Sequence, residues 1–286
     1  MATLKAIRKR ISSIRNTQQI TKAMKMVSAA KLRRAQEAAV QARPYADKMS
    51  ELLRNVAASV SQEAHPLLKA REEKKIHLLL FTSDRGLCGG YNANLIRAAE
   101  AFIRREGAGK EIHLVLIGRK GADYFRRRRA QIADRHINIF ATPTGELAAA
   151  VTEKAIERFV NGETDAVYIL YSRFRSALSQ VPTLEKLLPV ALSEAANADQ
   201  LTEYLYEPSI EALLASLLPR VAEVAILRAL LEATASEHGA RMTAMDSATS
   251  NASKMMGSLT LQMNRARQAS ITRELMEIVG TAEALK

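Results

Sequence analysis

The distribution of glycine divides this chain into two long arms and a central segment. All twelve glycines lie at or after Gly86, and nine of them fall between Gly86 and Gly162. The arms at residues 1–60 and 209–280 instead carry apolar side chains at helical spacing. At ~1.5 Å per residue, helices of these lengths would reach roughly 90 Å and 110 Å, too long for a globular core. We therefore expect two long helices on either side of a globular insert.

The N-terminal arm has the spacing of a coiled-coil seam. Leu4, Ile7, Ile11 and Ile14 are separated alternately by three and four residues. We expect the stripe to continue at these positions: Ile20, Met24, Val27, Ala35, Ala38, Ala42, Met49, Leu52, Val56 and Val60. Pro44 interrupts the pattern, and we expect it to kink the helix locally without ending it.

The C-terminal arm begins near Pro208 and keeps heptad spacing from Val221 to Ala266. Because both arms leave the same central segment, we expect them to pack antiparallel. The C-terminal arm would then extend roughly 25–30 Å beyond its partner. The apolar residues left without a neighbouring helix are Ile271, Leu275, Ile278 and Val279. Burying four such side chains is worth on the order of 6–12 kcal/mol, so this tip predicts an apolar sleeve on a partner protein.

The central segment has the pattern of an α/β domain. Short apolar runs at 76–82, 112–117 and 166–171 alternate with helical patterns at 94–105 and 147–161. This alternation predicts a Rossmann-like domain with a mostly parallel sheet. Ile132 and residues 137–140 suggest a further strand, whereas 180–189 stays ambiguous because prolines disfavour a central strand. The predicted division is an N-terminal helix at 1–60, a globular domain at 61–207, and a C-terminal helix at 208–286.

Charge and composition limit the partners that this chain can have. Its formal net charge is +12, and residues 1–36 contain no Asp or Glu. A surface of this kind suits nucleic acid, anionic lipid or an acidic protein. The basic stretch resembles a targeting peptide, but its pattern runs without a break into residues 37–60, so we expect no cleaved leader. No apolar run is long enough to span a bilayer, and the single cysteine, Cys88, agrees with a reducing compartment.

No motif in the sequence predicts a catalytic, cofactor or metal site. Residues 82–92 form a glycine-rich loop between a strand and a helix, where phosphate can bind, but they lack the Gly-Lys-Ser/Thr ending and the dinucleotide spacing. We expect a tight turn there and a buried thiol at Cys88. The five histidines have no metal-ligand spacing. The arginine run at 126–129 and the pair Glu274 and Glu277 are interpreted as surface charges.

Five segments carry recognisable motifs: residues 7–31, 83–92, 204–208, 240–245 and 266–280. Together they resemble one known family, the gamma subunit of F-type ATP synthase, and the resemblance extends over the whole chain. The sequence departs from the family pattern at Thr281, where a second glycine or another small residue usually stands before Ala282. The resemblance implies a non-catalytic rotating shaft that couples proton flow to ATP synthesis or hydrolysis. It further implies a peripheral protein on the cytoplasmic side of a bacterial inner membrane.

The resemblance also implies partners and contact residues. The shaft would turn inside a ring of alpha and beta subunits, and its globular foot would join the epsilon subunit and the c-ring. The residues expected to face alpha and beta are Met24, Lys25, Arg241, Arg267, Gln268, Ile271, Thr272, Leu275 and Ile278. Those expected at the foot are Tyr204, Tyr206 and Glu207. Membrane association would be indirect, and neither a cofactor nor nucleic acid is expected.

Two other functions are compatible with the residues alone. One is an α/β nucleotide-binding enzyme that uses the loop at 86–90 and dimerises through its helical arms. The other is a basic coiled-coil protein that binds nucleic acid, for which affinity for duplex DNA would depend steeply on salt.

Overall fold

The computed structural model of the chain describes residues 4–57, 63, 65–128, 130–139, 145–191 and 209–284. The chain divides into two compact units, one formed by Met1–Ser28 with Met242–Lys286 and the other by Ala29–Arg241. Helices α1 (Leu4–Ala57) and α5 (Ile210–Ala284) each contribute residues to both units. Neither Pro44 in α1 nor Pro219 in α5 ends its helix.

A five-stranded sheet forms the centre of the unit Ala29–Arg241. Its strands are β1 (Lys75–Phe81), β2 (Glu111–Ile117), β3 (Ile132–His136), β4 (Ala166–Phe174) and β5 (Gln180–Leu188). They lie in the order β3-β2-β1-β4-β5, with β5 antiparallel to β4 and every other pair parallel. Helices α2 (Tyr91–Glu106), α3 (Arg119–Arg127) and α4 (Gly145–Val160) connect the parallel strands. The predicted α/β fold with a mostly parallel sheet is therefore confirmed.

The two uncertain segments of the sequence have distinct outcomes. Residues 180–188 do form a strand, and its position at the edge explains why Pro182 is tolerated, since an edge strand leaves one side of its backbone unpaired. The strand that begins at Ile132 ends at His136. The prediction of a strand at Ile137 and Ile139 is wrong, because Asn138, with its positive φ of 63°, turns the chain away from the sheet. Phe140 and Val60 lie outside the described residues.

Each face of the sheet carries its own apolar core. Side chains alternate along β1, so Leu79 and Phe81 lie in one cluster and Leu78 and Leu80 in the other. The first cluster packs against α4 and against residues 214–233 of α5 with Leu53 and Val56 of α1. The second packs against α2 and α3. Both faces are covered, as expected for a parallel sheet.

In the other unit, α1 and α5 pair antiparallel, as their hydrogen bonds show. Thr249 Oγ1 lies 2.7 Å from Thr21 Oγ1, and Lys25 Nζ lies 2.5 Å from Asp246 Oδ1. Residue numbers rise along one helix as they fall along the other. Continuing this register brings Leu4 opposite Ala266, so the described part of α1 offers no neighbour to α5 beyond about that residue.

The seam of α1 departs from the predicted apolar positions. Ile20 and Val27 are 60% and 57% exposed, so their predicted place in the seam is wrong. The seam positions, spaced alternately three and four residues apart from Leu4 onward, are instead occupied here by four polar residues: Gln18, Thr21, Lys25 and Ser28. Helical geometry fixes which positions face the partner helix, whatever side chains they carry. In the other unit, Leu52 is likewise exposed and its neighbour Leu53 is buried.

Among the described residues, none of the helices has both the length and the hydropathy needed to cross a bilayer.

Candidate functional surfaces

The crevice where proteins of this topology bind ligands is occupied by the chain itself. Strand order reverses between β1 and β4, and ligands of such sheets bind beyond the strand ends at this point. Here helix α5 crosses those ends. The Tyr91 hydroxyl donates to the Ala233 carbonyl at 3.1 Å, and the Ser236 hydroxyl donates to the Ser172 carbonyl at 2.8 Å. The space available to a nucleotide in a related fold is therefore filled.

The loop that follows β1 is held by its own polar side chains. Asp84 Oδ1 accepts the backbone N–H groups of Arg119 and Asn138 at 3.0 and 2.8 Å. A carboxylate thus lies at the N-terminus of α3, where it would repel a phosphate. Leu87 and Gly89 have positive φ angles of 63° and 57°, as a tight turn requires. The structure supports a turn at this loop and disfavours a phosphate site.

Gly118, in the next loop, allows the closest approach of two backbone segments. A Cβ atom added to Gly118 would lie 2.0 Å from the Thr82 carbonyl oxygen. The φ angle of Gly118 is +102°, which residues with a side chain rarely adopt. We predict that Gly118→Ala lowers the unfolding free energy by about 2–4 kcal/mol, because strain and overpacking add. Urea unfolding of the full chain measures the loss. Gly145→Ala, with nothing within 4 Å of its Cβ, is the matched control, and equal stabilities of the two variants would contradict the prediction.

Cys88 is a buried thiol, as expected from its sequence context. Its side chain is 2% exposed, and Asn92 Nδ2 lies 3.2 Å from Sγ. Burial raises the pKa of the thiol, which opposes formation of the thiolate nucleophile. Within the described ranges, no three His, Cys, Asp or Glu side chains are grouped so that they could hold a metal ion.

Arg241 lies in a buried polar cluster of the unit Ala29–Arg241. Its guanidinium is 2.6 Å from Glu237 Oε1 and 3.2 Å from His238 Nδ1, and it donates to the carbonyls of Arg85 and Gly86 at 3.2 and 3.3 Å. Arg241 is only 8% exposed. It therefore fastens α5 to the loop after β1. A contact of Arg241 with alpha or beta stays a prediction, to be weighed against this internal role.

His77 on β1 predicts a dependence of stability on pH. Burial lowers its pKa to about 4, with smaller contributions from Arg158 and His113. The unfolded chain takes up a proton near pH 6.5 and the folded chain does not, so unfolding becomes easier as the pH falls from about 6.5 to 4. We predict that His77→Leu weakens this dependence in urea titrations between pH 7 and 4.5. If the unfolding free energy of the His77→Leu variant falls with pH as steeply as that of the unchanged chain, His77 does not contribute to the pH dependence.

The other predicted contact residues of α1 and α5 lie in the unit of paired helices. Met24 and Lys25 are half-buried, and Lys25 is paired with Asp246. Arg267, Gln268 and Thr272 are exposed. The apolar residues Ile271, Leu275, Ile278 and Val279 are between 49% and 64% exposed. The foot residues Tyr204, Tyr206 and Glu207 lie outside the described residues.

Sequence reasoning missed part of this surface. Met276 is 69% exposed and extends the apolar tip, while Ile20, Met26 and Val27 form exposed apolar positions on α1. Seam positions assigned from Leu4 by strict heptad spacing, alternately three and four residues apart, do not include these α1 residues. That assignment would therefore have predicted that they are exposed. The same assignment would have placed Thr21 and Lys25 against the partner helix.

Known proteins resemble this chain along its whole length. The sequence profile of the family described as ATP synthase matches residues 3–285. The ATP synthase gamma chain of Geobacter metallireducens is 53% identical over 287 residues, and that of Geobacter sp. strain M21 is 52% identical. In both cases the match covers 100% of this chain and 100% of the relative.

Solved structures share the fold. The central stalk/c-ring structure of the Tetrahymena thermophila mitochondrial ATP synthase contains a chain 26% identical to this one, with a TM-score of 0.61. That match covers 80% of this chain and 99% of the other. A chain of the Euglena gracilis mitochondrial ATP synthase matches at 21% identity and a TM-score of 0.70, covering 99% and 94%. With full-length relatives above 50% identity, this chain belongs to the ATP synthase gamma chain family.

Proposed function

We propose that this chain is the rotating central shaft of a proton-translocating ATP synthase and has no catalytic site of its own. It would turn within a ring of alpha and beta subunits and thereby couple proton flow to ATP synthesis or hydrolysis. The observation that carries this proposal is the exposed apolar tip of α5, at residues 271–279. In the described part of its unit, α1 provides no residue opposite this segment.

The tip needs a partner on energetic grounds. Its large apolar side chains are about half exposed or more, and covering four of them is worth on the order of 6–12 kcal/mol. Extrapolated from Thr21 and Thr249, the register brings the first described residue of α1, Leu4, opposite about Ala266, so the described part of α1 does not reach the tip. An apolar sleeve formed by alpha and beta would cover it, while Arg267, Gln268 and Thr272 just before it would meet polar loops of the ring.

The charge of the shaft supports an acidic contact on beta. Lys5, Arg8, Lys9, Arg10, Arg15 and Lys22 are exposed on α1. Such a surface favours an acidic partner through charge complementarity. Met24 and Lys25 would belong to this contact. Lys25 already forms an ion pair with Asp246. An acidic group of beta would therefore share the Lys25 ammonium with Asp246.

The remaining features support a non-catalytic role. Helix α5 fills the crevice between β1 and β4, and the thiol of Cys88 is buried. We also propose that Tyr204, Tyr206 and Glu207 contact the c-ring at a foot formed by 61–207, with the epsilon subunit beside it. The helices 1–60 and 208–286 would form the shaft, and the complex would hold the chain on the cytoplasmic side of a bacterial inner membrane.

Purification of the tagged chain from source membranes tests the proposal. We expect two larger chains in threefold excess over this one, together with ATP hydrolysis that the isolated chain lacks. Recovery of the chain alone would contradict the proposal. Saturable binding of ATP to the isolated chain, abolished by the substitution Gly89→Val, would favour a nucleotide-binding enzyme instead. Recovery with nucleic acid would favour the basic coiled-coil alternative.

A further inference from the structure

A groove lies between helix α3 and strand β3 within the unit Ala29–Arg241. Its volume is about 670 Å³, and ligand sites in proteins usually measure about 300–1,000 Å³. Half of its lining residues are apolar and half are charged. Strand β3 is the outermost strand of the sheet on this side. In the part of the chain that the structure describes, no further strand covers the groove.

The charged half of the lining has a surplus of arginine. The three guanidinium groups belong to Arg119, Arg126 and Arg135. Of the two carboxylates, Asp134 already accepts a hydrogen bond from Lys154 Nζ at 2.8 Å. Asp123 Oδ1 lies 3.8 Å from Arg126 Nη2, which is too far for a hydrogen bond. The groove therefore has more positive charge than its own carboxylates neutralise.

Two of these arginines form no ion pair among the described residues. Arg119 Nη2 donates to the neutral Asn138 Oδ1 at 2.8 Å, which orients the guanidinium and leaves most of its N–H donors available. Arg135 is exposed on the outermost strand. Arg119 and Arg126 are two helical turns apart, so they lie on the same side of α3 at about 10 Å from each other. The three side chains can thus meet an extended anionic ligand at several points.

Only part of the arginine run at 126–129 belongs to this groove. Arg128 lies over the Tyr124 ring, 4.9 Å from its centre, and 3.5 Å from Glu100 Oε1 on the side of α2. Arg126, by contrast, lines the groove. The run is therefore divided between an internal contact with α2 and a surface that faces solvent.

The floor of the groove is apolar and contains no ring. Leu116 is buried beneath it, Ala122 and Ile132 are half-buried, and Ile137 exposes 42% of its surface. None of the described lining residues is aromatic, so a nucleobase would find no ring on which to stack. The two carboxylates of the lining would also repel a continuous run of phosphates. This combination favours an acidic peptide with apolar side chains over nucleic acid.

The backbone of β3 is already partly occupied, so the side chains are left to select the ligand. The Arg135 N–H donates to Asp134 Oδ1 at 2.7 Å, and the Ala133 carbonyl accepts from Arg158 Nη2 at 3.4 Å. Contacts of this kind protect a sheet edge against the addition of another strand. Charge and apolar surface, rather than strand pairing, therefore determine what this groove recognises.

We propose that the groove between α3 and β3 binds an acidic peptide segment of a partner protein. Its carboxylates would meet Arg119, Arg126 and Arg135, and an apolar side chain would cover Ile137. Guanidinium groups bind carboxylates through paired hydrogen bonds, which add specificity to the attraction. A nine-residue helix is roughly 13 Å long, the length of about four extended residues. This inference concerns a surface away from the tip and does not depend on the proposed function.

Fluorescence anisotropy with the full-length chain and short dye-labelled ligands tests the groove. One peptide alternates glutamate with valine, and its controls replace every glutamate by glutamine or every valine by glycine. We expect the glutamate peptide to bind at least about tenfold more tightly than the glutamine peptide, because charge-assisted hydrogen bonds are about twice as strong as neutral ones. The glycine peptide should bind more weakly than the valine peptide, since it leaves Ile137 uncovered. A thymidine oligonucleotide of equal charge should bind more weakly than the glutamate peptide.

Matched variants separate the groove from the general positive charge of the chain. Arg126→Gln/Arg135→Gln should weaken the glutamate peptide at least about fivefold, whereas Arg97→Gln/Arg104→Gln, at exposed positions of α2, should change it less than about twofold. Both double variants lower the net charge equally, and thermal unfolding checks their folds. Ile137→Ser should weaken the valine peptides and keep the preference for glutamate.

Four results would each overturn the proposal. They are equal binding of the glutamate and glutamine peptides, equal losses in the two double variants, tighter binding of the oligonucleotide than of the glutamate peptide, and no binding of any ligand.

Discussion

Replacing Leu275 and Ile278 together by aspartate is expected to abolish assembly with the ring while leaving the fold of the chain intact. Both side chains are more than half exposed, so the isolated chain loses little when they become polar. In the complex, two carboxylates would have to enter an apolar sleeve without partners, at a cost of several kcal/mol each. Affinity for alpha and beta should therefore fall by more than about a hundredfold.

Two measurements and a control make this prediction specific to the tip. Circular dichroism and urea unfolding report on the isolated chain, and copurification with alpha and beta reports on assembly. Leu178→Asp changes an 83% exposed leucine in the turn between β4 and β5 and should leave assembly unaffected. Normal assembly of the Leu275→Asp/Ile278→Asp variant would show that the tip is not held in an apolar sleeve.

Arg241→Ala is expected to be the most destabilising single change in the buried cluster, with a loss of about 3–5 kcal/mol. It would leave the carboxylate of Glu237, which is 4% exposed, without its cation. The carbonyls of Arg85 and Gly86 would lose a donor as well. Urea unfolding followed by circular dichroism measures the effect.

A control on the same helix distinguishes this burial from the general loss of an ion pair. Arg220→Ala breaks an exposed pair with Glu223 and should cost at most about 1 kcal/mol. The double variant Glu237→Leu/Arg241→Met should recover most of the loss, because apolar side chains can replace a buried pair. A stable Arg241→Ala chain that assembles poorly would contradict the internal role and favour a contact of Arg241 with the ring.

Local pattern was enough to predict the principal elements of the fold. Three of the four parallel strands are short apolar runs, and the helices between them have a clear period, so the mostly parallel sheet could be predicted. The exposed tip could also be predicted, because it depends only on the relative lengths of two helical stripes. The strand at 180–188 was uncertain because the strand pattern does not show that Pro182 lies at an edge.

Long-range packing explains what the sequence did not reveal. In the sequence, Arg241 looks like any other charged residue of a long helix, and only its position against the loop after β1 shows that it is buried. The occupation of the crevice by α5 depends on Tyr91 meeting Ala233, which are 142 residues apart. The polar seam was missed because apolar neighbours were preferred over strict heptad positions. Thr21 and Lys25 occupy those positions and form the contacts with α5.

Observation of rotation in single assembled complexes tests the central claim most directly. A cysteine introduced at the exposed Ala70 can carry a bead, because the natural Cys88 is buried. With the alpha and beta ring fixed to a surface, ATP should drive stepwise rotation of the bead in one direction, and cross-linking the tip of α5 to the ring should stop both rotation and hydrolysis. ATP hydrolysis that continues at full rate while the chain is held fixed would contradict a rotating shaft.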